Sequence, residues 1–178
     1  MSVTASPRYD RPDATEYASF YAGYVAQVPD GDLLTTLEAQ VGEYFQALNP
    51  ITEAKSAFSY GPGKWTIKEL LLHVVDAERV FAYRAMRIAR GDQTPLPGFD
   101  EQAWVPLSGA NDRTVADLLG EFRAVRAATL AELRHLPSDS VTRRGTASGK
   151  EVTVRGLAWI IAGHAAHHLG ILRERYLV

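Results

Sequence analysis

The 178-residue chain contains five histidines, His73, His135, His164, His167 and His168, and no cysteine. Imidazole can act as a base and as a metal ligand near neutral pH. The lack of cysteine excludes disulfides, thiolate nucleophiles and cysteine-ligated zinc. A metal must therefore be held by nitrogen and oxygen, and thiol chemistry would need a thiol carried in by a second molecule. His164 and His168 are four residues apart, which puts them one turn apart on one face of a helix. That spacing lets two rings converge on one ion, although the HEXXH motif is absent because Ala165, Ala166 and His167 intervene.

Helical phase sharpens this pair. With a step of about 100° per residue and His164 as origin, Leu157, Ile160, Ile161, Ile171 and Leu172 all fall within about 80°. His168 lies at about 40°, so both histidines occupy the middle of an apolar stripe, whereas His167 falls on its shoulder. The same construction around His73 places Leu70, Ala77, Val80 and Phe81 beside it. Three core-facing histidines each need a polar partner, because an unpaired buried polar group is costly. A lone core histidine can satisfy itself on a backbone carbonyl or a carboxylate; one shared divalent metal would satisfy all three. Three protein ligands leave coordination positions for water, thiol or substrate, unlike a closed four-ligand structural site. A bound water would have its pKa lowered toward neutrality, and a thiol would bind as thiolate. Imidazole suits zinc, nickel, copper and iron, so the ligands do not name the ion.

Other polar residues are weighed against plainer roles. Asp76 lies on the shoulder of the His73 face and could orient a histidine; an ion pair is the simpler role. His167 could make a similar orienting bond or sit partly exposed. Glu69 fits a helix cap, and Glu78 points away from His73 toward an arginine. Arg84 shares the face of His73 but lies about 16 Å farther along the helix. It reaches an anionic substrate only if the pocket extends that far, and a buried salt bridge to a glutamate of the first long helix is the plainer expectation. Asp100, Glu101 and Trp104 could cover the metal pocket, or Phe99 and Trp104 could simply seal one end of the molecule. His135 reads as a favourable cation at a helix C-terminus.

The elements that must position these residues are helical. Leu33, Leu34, Leu37, Val41, Tyr44, Phe45 and Leu48 predict a helix from about Asp30 to Asn49. Thr66 with Glu69 forms a capping box for a second helix reaching Arg90. Thr114, with Asp117 as reciprocal cap, starts a third that reaches His135, and Thr153 caps a fourth that runs almost to Val178. Residues 91–113 form a long connection between helices two and three. Residues 138–152 are polar and glycine-containing, with no strand pattern. Residues 1–29, carrying Pro7, Pro12 and Pro29, read as an N-terminal arm with one short aromatic helix over Glu16–Gln27. The expected fold is all-α, a four-helix bundle over residues 30–178, in which the long connection leaves simple up-down wiring unassured.

Bulk properties bound the function. A net charge of −2 with no basic stripe gives no electrostatic case for nucleic acid. The longest apolar runs, LLLHVV and LAWIIAGHAA, are too short or interrupted to span a bilayer, and the N-terminus lacks the pattern of a signal peptide. The expectation is a cytoplasmic protein with no membrane partner.

The segments YGPGKWTIKELLLHVVDAERVFAYRAMRIARGD and IIAGHAAHHLGILRERYL resemble the DinB-like (YfiT-like) family of metal-dependent enzymes. The motif residues here are Trp65, Glu69, His73, Asp76 and Glu78, followed by His164 and His168. The resemblance implies a four-helix bundle, a metal site on His73, His164 and His168, and frequent homodimers. It also implies kinship with S-transferases that use bacillithiol, mycothiol or glutathione, and with a mycothiol-dependent isomerase. The leading expectation is a metal-dependent transferase or hydrolase acting on a small molecule, with zinc or nickel foremost, iron or manganese as alternatives, and a low-molecular-weight thiol as co-substrate. A non-catalytic bundle stapled by metal, acting through dimerisation or partner binding, is the second reading. A plain interaction bundle is the third.

Overall fold

Each long helix begins where a short polar side chain can accept a hydrogen bond from an otherwise unpaired backbone N–H. The structure, a computed structural model, describes residues 8–178, so the first seven residues of the expected arm lie outside the described residues. The helices are α1 (Ala22–Gln27), α2 (Leu33–Leu48), α3 (Glu53–Ser56), α4 (Ile67–Ala89), α5 (Glu101–Trp104), α6 (Val115–His135) and α7 (Val154–Ile171). Asp32, Thr66, Thr114 and Thr153 cap the four long ones. The Thr66 box closes in both directions, because the Glu69 carboxylate accepts from Thr66 N at 2.8 Å. The Thr114 box does not close: the Asp117 carboxylate turns instead to Arg113 Nε, a charged donor in place of a neutral amide. The chain leaves α7 through a π-helical turn, Leu172–Tyr176.

Two elements differ from the sequence-based expectation. The aromatic helix of the arm is shorter than Glu16–Gln27; short 3-10 turns at Ala14–Glu16 and Ser19–Tyr21 precede α1. The polar stretch before α7 contains an antiparallel hairpin, β1 (Arg144–Ala147) and β2 (Lys150–Thr153), with Ala147 opposite Lys150. Four-residue strands offer only two side chains per face, too few for an alternating pattern to stand out. Ser148 and Gly149 form the turn with φ of 52° and 71°, the left-handed pair that a tight hairpin requires. Leu96 of the long connection extends the hairpin, donating to Thr146 O and accepting from Ser148 N.

Four long helices, α2, α4, α6 and α7, form the bundle. α4 packs against α6 and α7, and α2 against the same two, so chain neighbours α2 and α4 sit diagonally across the bundle, as do α6 and α7. A simple up-down bundle would place each helix beside its successor; here the connections cross. No helix among the described residues is long and apolar enough to cross a membrane. Two apolar clusters fill the interior. One contains Phe81, Ile88, Leu133, Trp159 and Ile160, and the other Tyr44, Leu71, Phe122, Leu169 and Tyr176. On α7 they meet at residues 163–164, beside the first histidine of the HxxxH pair.

A single polar network links all four bundle helices through this core. Arg126 of α6, fully buried, grips Glu78 of α4 with two 2.8 Å bonds. It also donates to Leu37 O and Gln40 Oε1 of α2, and Gln40 in turn donates to Ala162 O of α7 at 2.8 Å. Glu78 thus pairs with an arginine as its helical phase requires. Removing one partner of such a pair leaves an uncompensated buried charge. Arg126→Met should therefore destabilise the fold by about 3–5 kcal/mol. The double variant with Glu78→Met should recover part of that loss. Urea denaturation measures both, and equal losses for the two proteins would contradict this account.

Candidate metal centre

α4 and α7 pack more extensively than any other pair of helices, and their contact faces carry the three histidines. His73 Nε2 lies 3.0 Å from His164 Nε2, and His168 Nε2 lies 3.1 Å from the same atom. The three candidate ligand nitrogens fall within 4.8 Å of one another, and all three residues are buried. The convergence expected from helical phase is therefore present.

The chemistry of this donor set can be tested against a cation. Burial pushes His73 down to about 4 and His168 to about 2; His164 is driven far below its usual value by burial and then by its histidine neighbours. All three rings are therefore neutral at pH 7. A neutral ring nitrogen carries either one proton or one in-plane lone pair. His164 Nε2 can thus make one good hydrogen bond, yet two nitrogens press on it. Hydrogen bonding alone leaves one contact unsatisfied, whereas a cation accepts three convergent lone pairs. The residues fit a metal.

Aromatic packing fixes the rings. Trp65 lies 4.7 Å from His73, centroid to centroid, and Tyr24 lies 5.4 Å from His164 at a near-perpendicular angle. Tyr24 reaches the site because α1 docks directly on α7. A Cβ at Gly163 would stand 2.2 Å from Tyr24 O, so only glycine permits this approach. From α2, Tyr44 donates to Ala165 O at 2.8 Å and holds the histidine-bearing turns of α7 in place.

The remaining candidates lie around the site rather than in it. Asp76 accepts from Arg79, itself shared with Glu121, and burial raises its carboxyl despite that arginine. His168 Nδ1 is buried with no protein partner, so no carboxylate orients that ring. His167 packs on Tyr24, and its Nδ1 contacts Gln27 Nε2 at 3.2 Å. Asp100 caps α5 by accepting from Gln102 N and Ala103 N. Trp104 is 46% exposed and stacks near Phe99 rather than covering the histidines. The expected salt bridge from Arg84 to a helix-one glutamate does not form; Arg84 donates to Pro97 O at 2.7 Å and Ser148 Oγ at 3.0 Å. The glutamates of α2 are taken up elsewhere: Glu38 pairs with Arg134 and Glu43 with Arg173.

Two clefts reach the histidines. One, of about 290 Å³, is lined by His73 and His164 with Phe20, Tyr21, Tyr24, Phe81, Phe99, Glu101 and Ser148. The other, of about 170 Å³, is lined by His168 with Tyr60, Lys64, Trp65, Gln102 and Tyr176. Of the long connection, Phe99, Glu101 and Gln102 reach these clefts. Phe20, Tyr21, Tyr24 and Ser148 were missed from sequence; the Ser-Gly turn dipeptide was the one local signal for Ser148.

Burial also sets a pH dependence. As pH falls through about 6.5, the unfolded chain takes up protons on these histidines; folded His73 does so only near 4 and His168 near 2. The unfolded state then binds more protons, so stability must fall with pH across that window. Chelator-treated protein should lose stability steadily from pH 6.5 to 4, and His73→Phe should flatten the slope in urea titrations. An unchanged slope would contradict the neutral, buried assignment.

Comparison with known proteins agrees with the fold. The chain is 23% identical over 145 residues to YfiT of Bacillus subtilis strain 168, covering 79% of this chain and 80% of that one. It is 25% identical over 72 residues to OB0413 of Oceanobacillus iheyensis, covering 40% and 41%. The solved structure of YfiT, described as a probable metal-dependent hydrolase with an unusual four-helix bundle topology, superposes with a TM-score of 0.73 at 19% identity. That match covers 92% of this chain and 89% of YfiT. A mycothiol-dependent maleylpyruvate isomerase superposes with a TM-score of 0.64 at 19% identity, over 82% of this chain and 62% of the isomerase. The DinB superfamily model matches residues 36–172, which include all three histidines and the helices that carry them, and the chain belongs to that superfamily.

Proposed function

We propose that this protein is a metal-dependent enzyme that transfers a low-molecular-weight thiol to a small electrophilic substrate, with His73, His164 and His168 holding a divalent ion. The observation that carries this reading is the position of the three nitrogens between two separate clefts, one opening on His73 and His164, the other on His168. Two openings onto one centre suit a reaction that joins two ligands. When bound, the ion supplies Lewis acidity that makes a coordinated thiol or water more acidic at neutral pH. Zinc and nickel fit an all-imidazole set; iron and manganese are the alternatives.

The chain itself performs the rest. Burial keeps the three imidazoles unprotonated and therefore competent as ligands. Tyr24, Phe81 and Trp65 shield the rings from water. Glu101 lines the larger cleft and is the carboxylate that would take the proton of an incoming thiol. Lys64 gives the smaller cleft a cation suited to a polar co-substrate. The chain has no cysteine, so the thiol must come from outside. A hydrolytic reading, with water in place of the thiol, is favoured by the description of YfiT as a probable metal-dependent hydrolase.

Untagged protein should carry about one equivalent of divalent metal by elemental analysis, a stoichiometry set by the single three-ligand site. His73→Ala and His168→Ala should abolish it, whereas His167→Ala should retain it. A thermal-shift matrix of metals against thiols should show thiol stabilisation in the metal-loaded protein alone. Stabilisation by metal with no thiol effect and turnover of hydrolysable esters would support the hydrolytic reading; metal stabilisation with neither would support a structural staple. Absence of metal uptake would overturn all three.

A further inference from the structure

Arg84 is 2% exposed, yet its two hydrogen-bond acceptors are neutral, Pro97 O and Ser148 Oγ. The other buried arginine of the core, Arg126, has the carboxylate of Glu78. Among the described residues no carboxylate pairs with Arg84; Tyr21 is the side chain whose hydroxyl answers its charge. The guanidinium also lies over Phe81 and Phe99, at 5.8 and 5.7 Å from their ring centroids. A cation withdrawn from water without an anion is expensive, so this position calls for a negative partner.

The neighbours of Arg84 belong to the cleft of the candidate metal centre. Ser148, Tyr21, Phe81 and Phe99 line the same 290 Å³ space as His73 and His164. Ser148 accepts from Arg84, which leaves its own O–H free to donate into the cleft; a Tyr21 hydroxyl turned to the guanidinium does the same. The result is two hydroxyl donors backed by a buried cation at one end of an aromatic cleft, and two imidazoles at the other.

We propose that the Ser148–Tyr21 end of this cleft, with Arg84 standing behind the two hydroxyls rather than in the lining, receives a carboxylate, so that the substrate is a carboxylate-bearing small molecule with an apolar body reaching toward His73 and His164. A single negative charge fits better than two, because Glu101 lines the same cleft and repels a second anion. The class of substrate rests on the enzymatic reading above, but the carboxylate receptor can be tested without metal or turnover.

The test is calorimetric titration of chelator-treated full-length protein with phenylacetate and with its neutral isostere, phenylacetamide. Phenylacetate should bind and phenylacetamide should bind at least tenfold more weakly. Ser148→Ala and Tyr21→Phe remove only a hydroxyl at cleft-lining positions, Tyr21→Phe keeping the ring that packs on Phe81, and each should weaken phenylacetate by about tenfold, the scale of a lost hydrogen bond to a charged group. Arg84→Met should abolish the preference for acid over amide; if it does not fold, the two hydroxyl variants carry the decision. Equal binding of acid and amide, no binding of either, or an unchanged phenylacetate affinity in both hydroxyl variants would overturn the proposal. A protein that prefers the acid but takes up no metal would keep the receptor and refute the metal reading.

Discussion

The bundle depends on the guanidinium of Arg126. Five N–H donors in a rigid fork allow one side chain to satisfy groups in several directions. Here they close a bidentate pair with Glu78 on α4 and reach Leu37 O and Gln40 on α2, and Gln40 passes the connection to Ala162 O on α7. Apolar packing sets how closely helices approach but tolerates rotation about their axes. A directional network tolerates far less, because a small rotation leaves a buried donor or acceptor unsatisfied. Ala162 lies two residues before His164, so the bond that anchors it also fixes the phase in which His164 and His168 meet His73. The crossed wiring serves the same end by bringing α4 beside α7 although two long connections separate them in the chain.

The N-terminal arm completes the site by a different means. Gly156 and Gly163 are seven residues apart on one face of α7, and each admits backbone of the arm, Glu16 O at the first and Tyr24 O at the second. Glu16 locks the lower contact through Arg155 and Thr153. The arm therefore docks by shape, by polar anchoring and by Tyr9, Val25 and Val28, which join the apolar core, and it lays Phe20, Tyr21 and Tyr24 along the larger cleft. Burial of the imidazoles, which keeps them neutral, and the aromatic wall, which shapes the cleft, are products of the same docking.

This division explains what the sequence disclosed. The histidines sit on two long helices with caps and unbroken periodicity, and phase within one helix is a local property, so their inward direction was legible. The outward phase of Glu78 from His73 was legible in the same sense, and with it an arginine as partner, but which arginine was not, because Arg126 lies 48 residues away. Asp76 was not, because both its candidate roles lie on the same shoulder and only the position of Arg79 separates them. Arg84 was misjudged for a related reason. Its inward phase was plain, but its surroundings come from Pro97 and the hairpin tip, segments distant in sequence and lacking periodicity. The tyrosines of the arm were hidden because two glycines on another helix determine where they lie.

The balance of forces also bears on whether an ion at this centre would serve the fold or the chemistry. In a small metal-folded domain, ligand bonds replace a core that the chain is too short to build. Here the histidines lie at the meeting of two filled apolar clusters, and α4 and α7 are joined by side chains above and below them and by the Arg126 network. The fold has its own support, and what the three nitrogens lack is satisfaction of their lone pairs. An ion bound there would relieve that local conflict, and with three protein ligands it would keep coordination positions unfilled by the chain. A structural staple would gain from closing those positions with a fourth side chain; among the described residues the cluster consists of the three histidines, with Asp76 bound to Arg79 and Glu101 in the wall of the larger cleft rather than in the cluster. A cluster of three ligands with no carboxylate among them would leave positions open at a bound ion, the arrangement that the proposed reaction requires.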